Sequence, residues 1–92
     1  MSAPPKSLEV ALGNLGRRVH EIRRKRGMTQ EQAAFELAME VTNFAKIEQG
    51  RANVTMKTLV RIAQCLDVPL LELFRSPKVR AVRPGRPRKS RA

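Results

Sequence analysis

The stretch MTQEQAAFELAMEVTNFAKIEQG, residues 28–50, decides the fold. Thr29 stands as a helix N-cap, Gln32 falls at the capping-box position, and Met28 with Ala33 supplies a hydrophobic staple. Ala34 and Leu37 follow on one inward face, and the pattern ends near Ala38. A second helical pattern runs from about Val41 to Gln49, with Phe44 and Ile47 inward and Gly50 as the C′ residue. Only Ala38, Met39 and Glu40 separate the two. So short a connection makes the second helix cross the first steeply. The axes can approach because Ala34 and Ala38 are small, and Met39 plugs the corner. Val41, Thr42, Asn43, Ala45, Lys46 and Gln49 are left facing outward or sideways, a face with few acids that suits a position beside phosphates.

Helical spacing continues on both sides of this stretch. A first helix runs to about Arg26, with Leu12, Leu15, Val19 and Ile22 on one face and Gly27 as its stop; Gly13 and Gly16 should weaken its first turns. A fourth starts at a Thr55 cap and buries Leu59, Ile62, Ala63 and Leu66. A fifth begins with Pro69 in the first helical position and carries Leu70, Leu71, Leu73 and Phe74. Apolar residues nowhere alternate over a strand-length stretch. The expected fold is all-α: a compact five-helix bundle with a helix-turn-helix over residues 8–74, a flexible arm over 1–7 and a disordered basic tail over 75–92, which lacks the apolar content to offset ordering entropy. A core of this size buries about 60% of the surface its unfolded chain would expose, so association through leftover apolar surface on the fifth helix would help.

Composition narrows the function. Nineteen Lys and Arg against eight Asp and Glu give a net charge of +11 over 92 residues. Residues 75–92 hold eight of those bases and no acid; residues 1–74 carry a net of only +3. Such a balance points to a polyanion, nucleic acid or an anionic membrane surface. One Cys forms neither an internal disulfide nor a thiolate metal cluster, and one His argues against a zinc site, so no metal and no cofactor are expected. No apolar run approaches the roughly 20 residues needed to cross a bilayer. Three Phe and no Trp or Tyr poorly supply a stacking platform for single strands. No nucleophile–base pair can be assembled, so an enzyme is excluded, and cytoplasmic, nucleoid-associated work is expected.

Several residues together carry a resemblance: Ile22-Arg23, Gly27-Met28-Thr29-Gln30, Ala34, Leu37, Ile47-Glu48, Gly50, Leu59-Ile62-Ala63-Leu66 and Val68 to Phe74. The chain from about Leu12 to Phe74 resembles the Cro/phage-repressor (XRE-type) helix-turn-helix family of bacterial DNA-binding proteins. The run Arg51 to Leu59 is similar to the controller proteins of restriction–modification systems, a subgroup of that family. Two positions depart from the family pattern: Ala38 stands where Gly is usual in the turn, and Glu40 where Ser or Thr usually caps the recognition helix.

The resemblance implies roles by position. Thr29 and Gln30 open the second helix, where Gln30 is either a phosphate ligand or an ordinary surface residue. Thr42, Asn43 and Lys46 become base-reading residues, with Val41 against a thymine methyl. Asn43 could equally serve a capping or solvent role, and Lys46 could bind phosphate without reading sequence. Arg51, Asn53, Thr55 and Lys57 follow, where the family's loop meets the DNA backbone, Thr55 reading first as a helix cap. Arg23 and Glu48 match a partly buried ion pair that ties the first helix to the third. Leu70, Leu71 and Phe74 are dimer candidates. Arg17, Arg18, Arg24, Lys25 and Arg26 read as a solvated face, those near Gly27 alternatively as flanking DNA, His20 as an exposed helix residue and Cys65 as a small, half-buried apolar group.

In the tail, Arg83-Pro84-Gly85-Arg86-Pro87-Arg88-Lys89 resembles an AT-hook, with Pro84 where an Arg usually precedes the Gly. Arg83, Arg86, Arg88 and Lys89 thus serve either a minor groove or nonspecific affinity through counterion release. The function implied is a homodimeric, sequence-specific regulator on a palindromic operator of double-stranded DNA. Its rivals are an antitoxin that binds a toxin protein and an architectural nucleic-acid-binding protein.

Overall fold

The capping box at Thr29 is complete. Its hydroxyl accepts from the Gln32 amide at 3.0 Å, and Gln32 Oε1 accepts from the Thr29 amide at 2.8 Å. Two N–H groups that a helix start leaves orphaned are thereby satisfied. The computed structural model describes residues 6–78 and contains four α-helices: α1 (Lys6–Lys25), α2 (Gln30–Glu36), α3 (Val41–Glu48) and α4 (Met56–Leu66). A 3-10 turn over Leu70–Phe74 follows, and no strand occurs among the described residues.

The fifth helix is therefore replaced by that turn. Pro69 sits outside it in extended backbone, and the bonds from the Glu72 amide to the Pro69 carbonyl and from Arg75 to Glu72 span three residues each. Five residues are too few to offset helix nucleation, whereas one tight turn suffices to bury Leu73 completely. At the other end α1 begins at Lys6, so Lys6 and Ser7 are helical rather than part of an arm. The rest of the arm, and residues 79–92 of the tail, lie outside the described residues.

All four helices close in the same way. After each, one amide bonds back three residues and the next bonds back five, with a left-handed residue between helix and loop. Gly27 (φ +71°) and Gly50 (φ +74°) suit that position, but α2 and α4 use Ala38 (φ +56°) and Asp67 (φ +60°). This closure ends α2 at Glu36, two residues before the expected Ala38, because the Met39 amide returns to the Ala34 carbonyl at 3.0 Å.

One core joins the elements. Leu15, Val19 and Ile22 of α1 meet Ala33, Ala34 and Leu37 of the α2 segment, Phe44 and Ile47 of α3, and Leu59, Ile62, Ala63 and Leu66 of α4. Leu73 completes it. Long polar side chains then lash the periphery. Arg18 donates to the Glu72 carbonyl and carboxylate, both at 2.8 Å, and Arg26 to the Asp67 carbonyl at 2.9 Å. Arg61 reaches the Leu37 carbonyl at the end of α2, also at 2.9 Å. Arg18 and Arg26 are thus fasteners for the C-terminal segment and not merely a solvated face, while Arg24 and Lys25 are exposed.

Candidate nucleic-acid interface

Helix α3 is divided by its own periodicity. Phe44, Ile47 and Glu48 turn inward and are buried; Thr42, Asn43 and Lys46 are exposed on the opposite side, with Gln49 beyond them. Val41 is half-buried and packs against the core, so its methyl groups are only partly presented. Glu40 is the N-cap, and its side chain makes no capping bond. The first turn of α3 therefore lacks the side-chain support that Thr29 gives to α2 and Thr55 to α4.

What fixes α3 is its contact with α1. Gly16 is buried where the two backbones nearly touch: a Cβ there would lie 2.5 Å from the Glu48 carbonyl oxygen and 2.8 Å from its carbon, and would collide with the Ile47 carbonyl. At Gly50 a Cβ would lie 2.8 Å from the Gly13 Cα. Gly16 is therefore the seat of α3, with the Gly13 backbone against Gly50, rather than a weakness in the first turns; a Cβ on Gly13 itself would meet only the Arg17 guanidinium. The sequence signal was a pair of glycines three apart on one helix face, which composition alone reads as helix-breaking.

Beside this seat lies a network of four side chains from three helices. Arg23 Nε donates to Glu48 Oε2 at 2.5 Å and Arg23 Nη2 to Oε1 at 3.1 Å, in the bidentate geometry that a guanidinium favours. Arg23 Nη1 also donates to the Met28 carbonyl at 2.7 Å, which ties the turn before α2 into the same cluster. Gln30 Nε2 donates to Glu48 Oε1 at 2.9 Å, and His20 Nδ1 lies 3.1 Å from that oxygen. The side chains of Arg23 and Glu48 are 7% and 4% exposed, so the pair is shielded from solvent. Burial pushes the Glu48 carboxyl up, but the hydrogen bonds from Arg23 and Gln30, with the Arg23 charge, outweigh it and hold Glu48 below its ordinary value of 4.5.

His20 is consequently not a simple exposed residue; its side chain is 44% exposed and its ring is engaged. Its position three residues before Arg23, on the same helix face, was the available signal. Gln30 is half-buried, with its amide committed to Glu48 in the free protein. The Thr29 and Thr55 hydroxyls both cap helices, accepting from Gln32 and Thr58. Arg51 and Asn53 are exposed on the segment after α3 and Lys57 in the first turn of α4, Arg51 reaching back to Gln49 Oε1 at 3.1 Å. Leu71 is 76% and Phe74 52% exposed, whereas Leu70 packs against the core. Cys65 donates to Glu36 Oε1 at 3.4 Å; burial and that carboxylate push its thiol up to about 11. Arg83, Arg86, Arg88 and Lys89 lie outside the described residues.

Among the described residues no helix is long and apolar enough to cross a membrane, and no group of His, Cys, Asp and Glu is placed to hold a metal ion. Comparison with known proteins agrees with the geometry. Residues 14–74 match the family model described as a helix-turn-helix domain. An uncharacterized HTH-type transcriptional regulator from Sinorhizobium fredii is 34% identical over 59 residues, 64% of this chain and 77% of the relative. The restriction–modification controller protein C.AhdI from Aeromonas hydrophila has a similar structure, with a TM-score of 0.68 and 31% identity over 71% of this chain and 98% of that one. The wild-type controller C.Esp1396I gives a TM-score of 0.64 and 30% identity over 70% and 86%. With a buried α3 seat, an exposed outer face and this matched span, the chain belongs to the helix-turn-helix domain family of DNA-binding transcription regulators.

Proposed function

We propose that the protein is a sequence-specific regulator that binds a palindromic site as a homodimer, each protomer placing α3 in the major groove. The observation that carries this reading is the division of α3. Phe44 and Ile47 anchor it while Thr42, Asn43 and Lys46 stand free on the far side. Lys46 can reach guanine O6 and N7, and Asn43 or Thr42 a neighbouring base edge. Gln30, Thr29, Arg51, Asn53, Thr55 and Lys57 flank that helix as backbone contacts, which set register without reading sequence. The exposed Leu71 and Phe74 form the dimer contact, and half-sites then lie about 10–10.5 bp apart. Arg83, Arg86, Arg88 and Lys89 of the tail add a further, salt-sensitive grip on the phosphates or on an A·T-rich minor groove.

Selection of duplexes from a random pool, followed by affinity measurements, tests the reading. A defined inverted repeat should emerge, and Lys46→Ala should relax preference at one position by about 1–3 kcal/mol. Leu71→Asp with Phe74→Asp should yield a monomer in sedimentation with weakened operator binding. Recovery of no preferred sequence, with the Lys46 and Asn43 variants binding as well as the unaltered protein, would overturn it.

A further inference from the structure

The side-chain network beneath α3 has more donors than one of its oxygens can serve. Glu48 Oε1 is approached by Arg23 Nη2 at 3.1 Å, Gln30 Nε2 at 2.9 Å and His20 Nδ1 at 3.1 Å. A carboxylate oxygen offers about two lone-pair sites. His20 Nδ1 is also 3.1 Å from Arg23 Nη2, which can only donate. With Nδ1 bare, the geometry is consistent: Nη2 gives one hydrogen to Nδ1 and one to Oε1, and Gln30 fills the second site on Oε1. Once Nδ1 carries a proton the pattern breaks. The ring becomes a third donor to Oε1 and meets Arg23 donor to donor.

From this geometry we infer that protonation of His20 displaces the Gln30 amide from Glu48 and frees it for a DNA phosphate, so that His20 is a positioning residue for DNA binding. Gln30 is the donor that yields because it is the neutral one: Arg23 and a protonated His20 add the attraction of opposite charges to their hydrogen bonds with the carboxylate, and the amide does not. It is also the member whose helix opens toward the proposed DNA face. The charged groups facing His20 are Arg23 from its own helix and Glu48 from α3, with neutral Gln30 from α2. Arg17 and Arg24 stand three residues before and four after it along α1, and Arg17 Nη2 is held by Asn14. The C-terminal turn and the end of α4 meet α1 elsewhere, through Arg18 and Arg26. The inference rests on the reading of Gln30 as a phosphate ligand, and its test separates the two.

In the free, full-length protein, NMR follows the His20 ring and the Gln30 side-chain amide across the pH range in which histidines titrate. The two should shift with one midpoint, and His20→Asn should abolish the Gln30 shift. Binding is then measured at constant ionic strength on a duplex of about 30 base pairs recovered from a random pool, long enough for two half-sites a helical turn apart. Affinity should rise as pH falls, on the order of three- to tenfold per protomer, the worth of one net hydrogen bond. His20→Asn should flatten that rise, and so should Gln30→Ala, which should also weaken binding, most at the low-pH end of the range. A Gln30 amide that stays fixed while His20 titrates overturns the inference, as does a pH slope that survives either substitution. Joint titration in the free protein combined with a Gln30→Ala variant that binds as tightly as the unaltered chain would instead overturn the phosphate role of Gln30.

Discussion

Replacing Ala38 by glycine should stabilise the protein, against the usual direction for such a change. Ala38 holds φ +56° at the end of α2, in the closure where the other short-range stops at Gly27 and Gly50 use glycine. An L-residue in the left-handed region costs about 1–2 kcal/mol relative to the ordinary helical well. Glycine removes that cost and gives back about 0.4–1 kcal/mol through the larger freedom of its unfolded chain. Ala38 is exposed, so losing its methyl leaves no cavity. The net gain is about 0.5–1 kcal/mol, which for a domain of this size raises Tm by about 2–8 °C. Gly27→Ala is the reciprocal control: φ is +71° and no atom lies within 4 Å of the added Cβ, so only the backbone term operates and stability should fall by a similar amount. Gly50→Ala should cost more, because its Cβ also meets Gly13. Thermal and urea unfolding followed by circular dichroism rank the three. If Ala38→Gly is neutral or destabilising while Gly27→Ala is tolerated, the account of these helix ends is wrong.

Other consequences concern the seat of α3. Glu48 has a lowered folded pKa, so its contribution to stability is complete above about pH 4.5 and is lost as pH falls through the folded value; acid unfolding should show this limb, and Glu48→Gln should remove it. Arg23→Met should cost about 3–5 kcal/mol in urea unfolding at neutral pH, because it leaves a buried carboxylate without its cation. Gly16→Ala should cost about 1–3 kcal/mol by calorimetry, since backbone rather than a flexible side chain stands in the way of the methyl; a tolerated alanine would mean that α1 and α3 are not in close contact.

Local chemistry was legible in the sequence and convergence was not. The Thr29 box, the Thr55 cap and the inward placing of Phe44, Ile47 and Leu66 depend on residues three or four apart, which a sequence displays directly. The end of α2 was misplaced because Ala38 is an excellent helix former by propensity. Its left-handed backbone follows from where the chain must go next, toward α3. The same reasoning applies to Leu70–Phe74, whose pattern is helical but whose length and docking on α1 allow a single tight turn. Gly16 could not be understood until α3 lay against it. His20 and Gln30, 10 positions apart in sequence, acquire meaning only because both reach Glu48, a further 18 residues along the chain from Gln30.

These supports are all at one end of α3, and that asymmetry has a consequence for recognition. Glu48, Ile47 and Gly50 are pinned by Gly16, Gly13 and Arg23, while the N-terminal turn has an N-cap whose side chain bonds nothing. Lys46 therefore projects from the firm end of the helix, and Thr42 and Asn43 from the end that frays first. On the proposed mode of binding, contacts from Lys46 are pre-organised, and contacts from Thr42 and Asn43 must be ordered by the DNA, at a cost in affinity. Amide hydrogen exchange should accordingly be slower at Glu48 and Gln49 than at Phe44 and Ala45, although all four amides have helical acceptors. Glu40→Ser, which supplies the missing cap and about 1 kcal/mol, should narrow that difference and tighten binding to the selected duplex. Equal protection along α3, unchanged by the serine, would mean that the core contacts of Phe44 hold the first turn as firmly as Glu48 holds the last.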